Sequence, residues 1–402
     1  MNYMYCLLFI SFLSFIQCKN EEEYVSKAIT KIEFIPSKVH DINIEQIFDS
    51  IRFLPLKYEG DFIASRPQEI TLYHNKLFYL TVKSGDQSSL FMFNNQTGQL
   101  IDKIISNPEG HDPVHFIRYF DALNDTVFLL NNDHLSKFTI TDNERFNRVL
   151  PDINLTEWYT HIAVNKEGYI CFNQSHPYAL YFRNHDGVLR SEKMSFLNKY
   201  PTFQPDNFQH FRRLNDNTIA FHFRYNPTIY SIKEEKHVET LLQFDFHEFI
   251  IDSSILNIMA TGPMSNFLEM KNKLCNKNGM FCSFYRFFDL DNYYYISFKV
   301  NNSYYIVFTD KRSGKSKIFN GQVDDITDFR FLGYFNKTLD FITNYENALI
   351  AVLDSEYLSE IIKTDNLISS PINNNFEKVK HQINNLSNPV IVFFYLKKNL
   401  NI

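Results

Sequence analysis

From about residue 63 onward, short apolar stretches alternate with polar turns, and the same order of elements recurs along the chain. The clearest unit predicts strands at Gln68–Tyr73, Lys76–Val82, Ser89–Phe93 and Gln99–Ile105. Turns fall between them at His74-Asn75, Ser84-Gly85-Asp86 and Asn94-Asn95-Gln96-Thr97-Gly98. Turn residues at this spacing, with apolar runs between, mark successive short antiparallel strands. A second unit spans Ile117 to Leu150 and a third His161 to Met194, the latter turning at Lys166-Glu167-Gly168 and at Asn184-His185-Asp186-Gly187. Phe211 to Phe246 makes a fourth unit and Phe284 to Phe319 a fifth. Between those two, Asp252 to Phe281 breaks the rhythm and predicts an inserted loop or short helix.

The sixth unit is incomplete. Asp328–Tyr334 and Thr338–Thr343 supply two strands, and Glu346–Ile362 carries apolar residues at helical spacing, which predicts a helix. A strongly apolar strand, Pro389–Leu396, follows near the C-terminus. The outer strand still missing is expected from the other end of the chain, with Ile51–Lys57 pairing in the same blade as Pro389–Leu396. The pattern therefore predicts an all-β fold, a six-bladed propeller of four-stranded antiparallel blades over residues 51–402, with a C-terminal helical insertion in the last blade. A β-sandwich with a helical appendage is the alternative, and it fits the count of units and the leftover strand at each end less well.

Composition agrees. Aromatic residues make up 16% of the chain, with 41 Phe and 24 Tyr, and such side chains suit pleated, half-buried surfaces. Eleven Gly are too few to favour phosphate-cradling loops, and no cofactor is expected. A net charge of −6, without a long Lys/Arg run, gives no reason to expect nucleic acid as a partner.

The N-terminal run Cys6–Ile16 is apolar throughout but falls short of the about 20 residues that span a bilayer, and it suits the apolar segment of an export signal. Gln17-Cys18 and then Lys19-Asn20-Glu21-Glu22-Glu23 follow, and the whole resembles a bacterial lipoprotein signal with the acidic surface-export stretch of Bacteroidetes lipoproteins. Phe15-Ile16-Gln17 stands at the lipobox, and Met1 to Tyr5 carry no Lys or Arg. An ordinary cleaved signal with an incidental cysteine is the other reading. The resemblance implies residues 1–18 as signal, lipidation at Cys18, and 19–50 as an acidic tether and lead-in. It also implies an outer-membrane, cell-surface location with the membrane as partner through the lipid.

Of the other cysteines, Cys171 lies in a strand-like run and is expected to be a buried, inert thiol. Cys275 and Cys282 flank Lys277-Asn278-Gly279. An oxidising compartment permits them to pair, and the sequence leaves that pairing open. No cysteine spacing is that of a zinc site, and no metal is expected.

A second resemblance rests on three short motifs. Asp49-Ser50-Ile51-Arg52-Phe53-Leu54-Pro55-Leu56 is similar to the opening of the six-bladed β-propeller lipoproteins common in Bacteroidetes. That family has a G-x-G-P-x-E-aromatic loop after its first blade. Gly110-His111-Asp112-Pro113-Val114-His115-Phe116 keeps its first Gly, the Pro and the aromatic, with Asp112 and His115 in place of the second Gly and the Glu. Asn388-Pro389-Val390-Ile391-Val392 is similar to its closing strand. The resemblance implies the fold and the compartment, and it implies no activity.

Basic residues beside aromatic or apolar neighbours recur near the start of several first strands: Arg118, Arg212 and Arg213, Arg286 and Arg330, with His161 in the corresponding place in the third unit and Arg66 just before the first. First strands line the channel of a propeller. These side chains are therefore candidates for one axial pocket that binds carboxylate, sulfate or phosphate through guanidinium forks. Alternatively each pairs with a carboxylate of another blade, for which Asp121, Asp216, Asp289 and Asp328 are close enough in sequence. In the loop after the first blade, His111, Asp112 and His115 have the chemistry to bind a metal or to exchange protons, or simply form a solvated connection. No catalytic residue is identified: G-x-S-x-G is absent, and no carboxylate pair can be chosen without distances. Three functions follow: a surface-anchored binding module for an anionic or glycan ligand, a glycan-active hydrolase or lyase, or a structural subunit of an outer-membrane complex that uses the Glu346–Ile362 helix or the rim to contact a protein partner.

Overall fold

The computed structural model describes residues 30–41, 44–58, 67–82, 87–106, 114, 116–131, 133–173, 177–195, 210–235, 237–261, 264–321, 341–356, 358–359, 373–383 and 388–400. It is a six-bladed propeller of antiparallel blades, as the sequence pattern predicts. Blade 1 comprises Glu69–Tyr73, Lys76–Val82, Ser88–Asn94 and Leu100–Ile105. Blade 2 comprises Tyr119–Leu123, Thr126–Asn131, His134–Ile140 and Phe146–Asn154. His161–Asn165, Gly168–Phe172, Tyr178–Arg183 and Leu189–Ser195 form blade 3. Phe211–Arg213, Ile219–Phe221, Thr228–Ile232 and Val238–Asp245 form blade 4. Phe284–Asp289, Tyr293–Val300, Ser303–Asp310 and Ser316–Asn320 form blade 5. The first strand of each blade touches the first strand of the next around a closed ring, including blade 6 against blade 1.

The abundance of Phe and Tyr has a geometric cause. Twisted blades packed around an axis leave wedge-shaped clefts, and bulky rings fill them. One buried cluster occupies each of the six blade interfaces. Between blades 4 and 5, for example, Phe244, Phe284 and Phe298 pack on one another.

Blade 6 closes as expected, but its two inner strands are Thr343–Tyr345 and Ala348–Leu353 rather than Asp328–Tyr334 and Thr338–Thr343, of which residues 328–340 lie outside the described residues. Its order from the axis outward is Thr343–Tyr345, Ala348–Leu353, Val390–Leu396 and Phe48–Pro55. The N-terminal strand pairs antiparallel with the C-terminal one, Ile51 opposite Phe394 and Phe53 opposite Val392. Glu346–Ile362 is not one helix: Ala348–Leu353 is a fully buried strand, and helical backbone begins only at residues 355–356 and 358–359. A strand buried on both faces needs apolar residues at every position, so its spacing does not distinguish it from a helix. The helical insertion of this blade is instead Phe376–Ile383, which buries Phe376 and Ile383 against the blade. Just before it, the Asn375 side chain accepts from Phe53 N at 2.7 Å and donates to Phe53 O at 3.0 Å, covering part of the blade's outer edge.

The segment before the closing strand is a strap around the rim. Thr30–Glu33 adds in parallel to the outer strand of blade 4. Phe34 then fills the junction with blade 5, and His40 pairs with Phe319 on blade 5's outer strand. After Phe48–Pro55, Lys57 N donates to Gly98 O at 2.8 Å, joining blade 1. Gly98 is required there: it has φ +71°, and a Cβ would collide with the Pro55 carbonyl oxygen.

The segment between blades 4 and 5 forms two helices, Ser253–Thr261 and Met264–Lys271, followed by a π-helical turn, Asn272–Lys277. Leu256 and Met259 pack on Tyr225 of blade 4. Cys275 and Cys282 form a disulfide with Cα atoms 5.9 Å apart, closing the turn that Gly279 makes at φ +67°. Cys171 is a buried free thiol, and burial pushes its pKa up to about 12.

Phe34 tests the strap. It is 0% exposed, with its ring 4.8 Å from Tyr305, 5.5 Å from Phe298 and 5.9 Å from Phe246 and Phe249. Phe34→Ala should cost about 3–5 kcal/mol in chemical denaturation followed by tyrosine fluorescence. A cost within about 0.5 kcal/mol, as for a surface change, would show that the strap is not integral to the ring.

Candidate functional site

At one end of the axis, where first strands turn back into second strands, a cavity of about 560 Å³ opens. Blades 1, 2, 3, 4 and 6 all contribute to its wall. Its polar lining includes Asp121, Arg212, Arg213, Asn215, Asn217, Asn344 and Glu346, and Tyr73, Tyr119 and Tyr345 supply ring faces. Among the described residues of the wall, two guanidiniums stand with two carboxylates.

Neighbouring residues of a strand point to opposite sides, and blade 4 uses this to brace the channel in two directions. Arg212 donates to Ile342 O at 2.7 Å and to Thr343 Oγ1 at 3.2 Å on blade 6. It also stands over the Phe288 ring and lies 3.8 Å from Glu69 Oε1 of blade 1. Arg213 donates to Asp121 Oδ2 of blade 2 at 2.8 Å and to Val164 O of blade 3 at 2.7 Å. Asp121 Oδ2 also accepts from Val164 N at 2.7 Å. Arg286 donates from Nε to Phe341 O at 2.9 Å, linking blade 5 to blade 6. Arg212 and Arg213 line the cavity and Arg286 does not, and each of the three is engaged by carbonyls or carboxylates of other blades.

Of the acids named as partners, Asp121 pairs with Arg213. Asp289 is ion-paired with Lys311 and accepts from Asn215 N at 2.7 Å, and Asp216 accepts from the Thr218 hydroxyl at 2.6 Å. Arg118 lies just outside the blade 2 strand with its guanidinium 4.4 Å from the Trp158 ring. His161 is buried between Tyr119 and His210, each ring 4.8 Å away, and His210 neighbours His222 at 6.0 Å. None of these three histidines lines the cavity. Among the described residues, no group of His, Cys, Asp or Glu could hold a metal. Cys18, Arg66, His111, Asp112, His115, Asp328 and Arg330 lie outside the described residues.

Sequence reasoning missed Glu69. It sits at the start of the first strand of blade 1, where blades 2 to 5 carry a basic residue at or near the start. That exception was the available signal. Glu69 is 5% exposed, and burial raises its pKa to about 7 although Arg212 and Arg286 pull it down. Burial lowers Arg212 to about 10, so the guanidinium remains charged at neutral pH.

Comparison with known proteins adds to this geometry. The family described as "Domain of unknown function (DUF4934)" matches residues 29–395. No curated protein matches the chain. Among solved structures, a Bacteroides fragilis protein provisionally described as exported superposes with a TM-score of 0.68 at 15% identity, covering 92% of this chain and 100% of its own. Virginiamycin B lyase from Staphylococcus aureus gives a TM-score of 0.36 at 14% identity over 67% of this chain and 73% of the lyase. PorZ of the Porphyromonas gingivalis type-IX secretion system gives 0.35 at 9% identity over 74% of this chain and 36% of PorZ.

Glu69 yields a pH dependence. Its folded pKa is raised from 4.5 to about 7, so between those values the folded state binds more protons than the unfolded state. Stability is therefore greatest below the unfolded pKa and falls as pH rises through the folded one, by up to about 3 kcal/mol. Denaturation of wild type and Glu69→Gln across pH 4.5 to 8 should show this decline in wild type only. Parallel curves would refute the assignment.

Proposed function

The chain belongs to the DUF4934 family, and we propose that it acts as a surface-anchored module that binds a glycan at the axial mouth. One observation carries this reading: a cavity of about 560 Å³ gathers its wall from five blades and has charges of both signs, amides and tyrosine rings. Small-ligand pockets of about 300–1,000 Å³ place a few polar groups among aromatic walls. An anion would compete with partners already in place: Arg213 is ion-paired with Asp121, and Arg212 is held by the Ile342 carbonyl and lies near Glu69. Hydroxyl-rich, uncharged sugar rings suit a wall that both donates and accepts, and tyrosine faces suit their apolar sides.

Anchoring rests on the export-type segment and Cys18. Among the described residues, no helix is long and apolar enough to cross a membrane. The reading of an enzyme gains no support from the buried histidines, because they do not reach the cavity. Within Glu346–Ile362, expected as a helix for an assembly contact, Ala348–Leu353 is a buried strand.

Asn215 stands exposed on the lip, and its backbone N–H alone carries the bond to Asp289. Asn215→Trp should therefore plug the mouth without unfolding the protein. On a glycan array and in calorimetry, the chain from residue 19 should bind a defined glycan class, and the Trp variant should lose that binding at an unchanged melting temperature. Binding that survives the plug would place the ligand elsewhere. Separately, the expressed full chain should partition into detergent and Cys18→Ser should not; equal partitioning would refute the lipid anchor.

A further inference from the structure

The segment between blades 4 and 5 leaves the end of blade 4's outer strand and returns to the start of blade 5's first strand. Strands alternate in direction along a blade, so the segment stands at the opposite end of the axis from the mouth. Phe281 N donates to Phe249 O at 2.7 Å, so the chain goes out and back through one neck. Leu256 and Met259 of its first helix are buried, and Met270 of its second packs beside them. The Cys275–Cys282 disulfide closes its last turn. It is therefore a fixed projection of the body.

The outward side of this projection is apolar. Ile258 is 58% exposed, Leu268 44% and Ile250 41%, which makes three of the eight large apolar side chains exposed among the described residues. At about 100° per residue, Ile258 lies about 200° from the buried Leu256, and Leu268 about 200° from Met270. Both helices thus turn an apolar side chain away from the blades. Lys273 and Lys277 stand exposed on the turn that follows. Between Phe246 and Ser283, Glu248, Asp252 and Glu269 match Lys271, Lys273 and Lys277 in number. Apolar contact, rather than net charge, is what this surface offers.

The route of the chain indicates what covers it. The strap enters beside the neck: the Phe34 and Phe249 ring centroids are 5.9 Å apart, and Glu33 Oε1 meets His247 Nε2 at 3.1 Å. Lys19 to Ile29, 11 residues, separate Cys18 from Thr30 at the start of the strap, a span of at most about 40 Å. A lipid at Cys18 would hold this edge of the propeller close to a bilayer. A tether alone limits distance and leaves orientation unset.

We propose that the segment between blades 4 and 5 rests on the bilayer that holds the lipid at Cys18, with Ile258 and Leu268 in the interface, so that the axial mouth faces away from the membrane. This orientation rests on the lipid anchor of the functional reading and adds to it the direction in which the site opens. Apolar side chains of surface helices enter the boundary between headgroups and acyl chains, and a second contact strengthens a lipid anchor.

The expressed full chain, reconstituted into vesicles of phosphatidylcholine brominated along its acyl chains, tests the orientation. Ile258→Trp and Leu268→Trp alter exposed sites, so folding should survive, and an unchanged melting temperature checks this. The signal of wild type, whose one tryptophan is Trp158, is subtracted. Both variants should then lose their added fluorescence relative to unbrominated vesicles, and high sodium chloride should not restore it. Asn215→Trp, at the mouth, should lose none. Chain that floats with the vesicles but shows no quenching at Ile258→Trp and Leu268→Trp overturns the proposal and leaves the anchor standing. A doubled mass in light scattering would then assign the segment to a second copy. Equal quenching at Asn215→Trp overturns the orientation. Wild type that fails to float, as Cys18→Ser should, refutes the anchor and the proposal with it.

Discussion

The ring depends on one antiparallel pairing, Phe48–Pro55 on Val390–Leu396. Side chains of the N-terminal strand alternate between two clefts: Phe48, Ile51 and Phe53 fill the interface with blade 5, and Leu54 fills the one with blade 1. A single strand therefore seals both sides of the last blade. Without it two of the six aromatic clusters would face water, and the first and last blades would no longer share a fixed interface. The long sequence separation makes this contact slow to form, and its stability must come from packing rather than from local propensity.

Within the closed ring, the axis is stiffened by charge rather than left open. Arg212 and Arg213, adjacent in one short strand, reach blades 6 and 1 on one side and blades 2 and 3 on the other. A basic residue that looks like a ligand contact in sequence is thus spent on holding blades together. The mouth above is left with charges of both signs and rigid walls.

Blades 1 to 5 were legible because each has half-exposed outer strands, where apolar and polar residues alternate, and turns with Gly, Asn or Asp. Ala348–Leu353 was not, since burial on both faces erases the alternation. Phe376, Val379 and Ile383 did carry a helical stripe, but one too short to stand out among polar neighbours. The axial arginines were legible as a recurring position. Their partners were not: which carboxylate or carbonyl meets which guanidinium is set by distances across the ring.

The strap has a mechanical consequence. Thr30–Glu33 lies parallel along blade 4's outer strand, Phe34 is locked behind it, and the chain touches blades 5, 6 and 1 before entering the body. A pull on the N-terminus directed along that first strand loads its hydrogen bonds together, in shear, instead of peeling them one at a time. A propeller tethered by that end would transmit tension into the whole rim, and the pairing that closes the ring would be among the last to feel it.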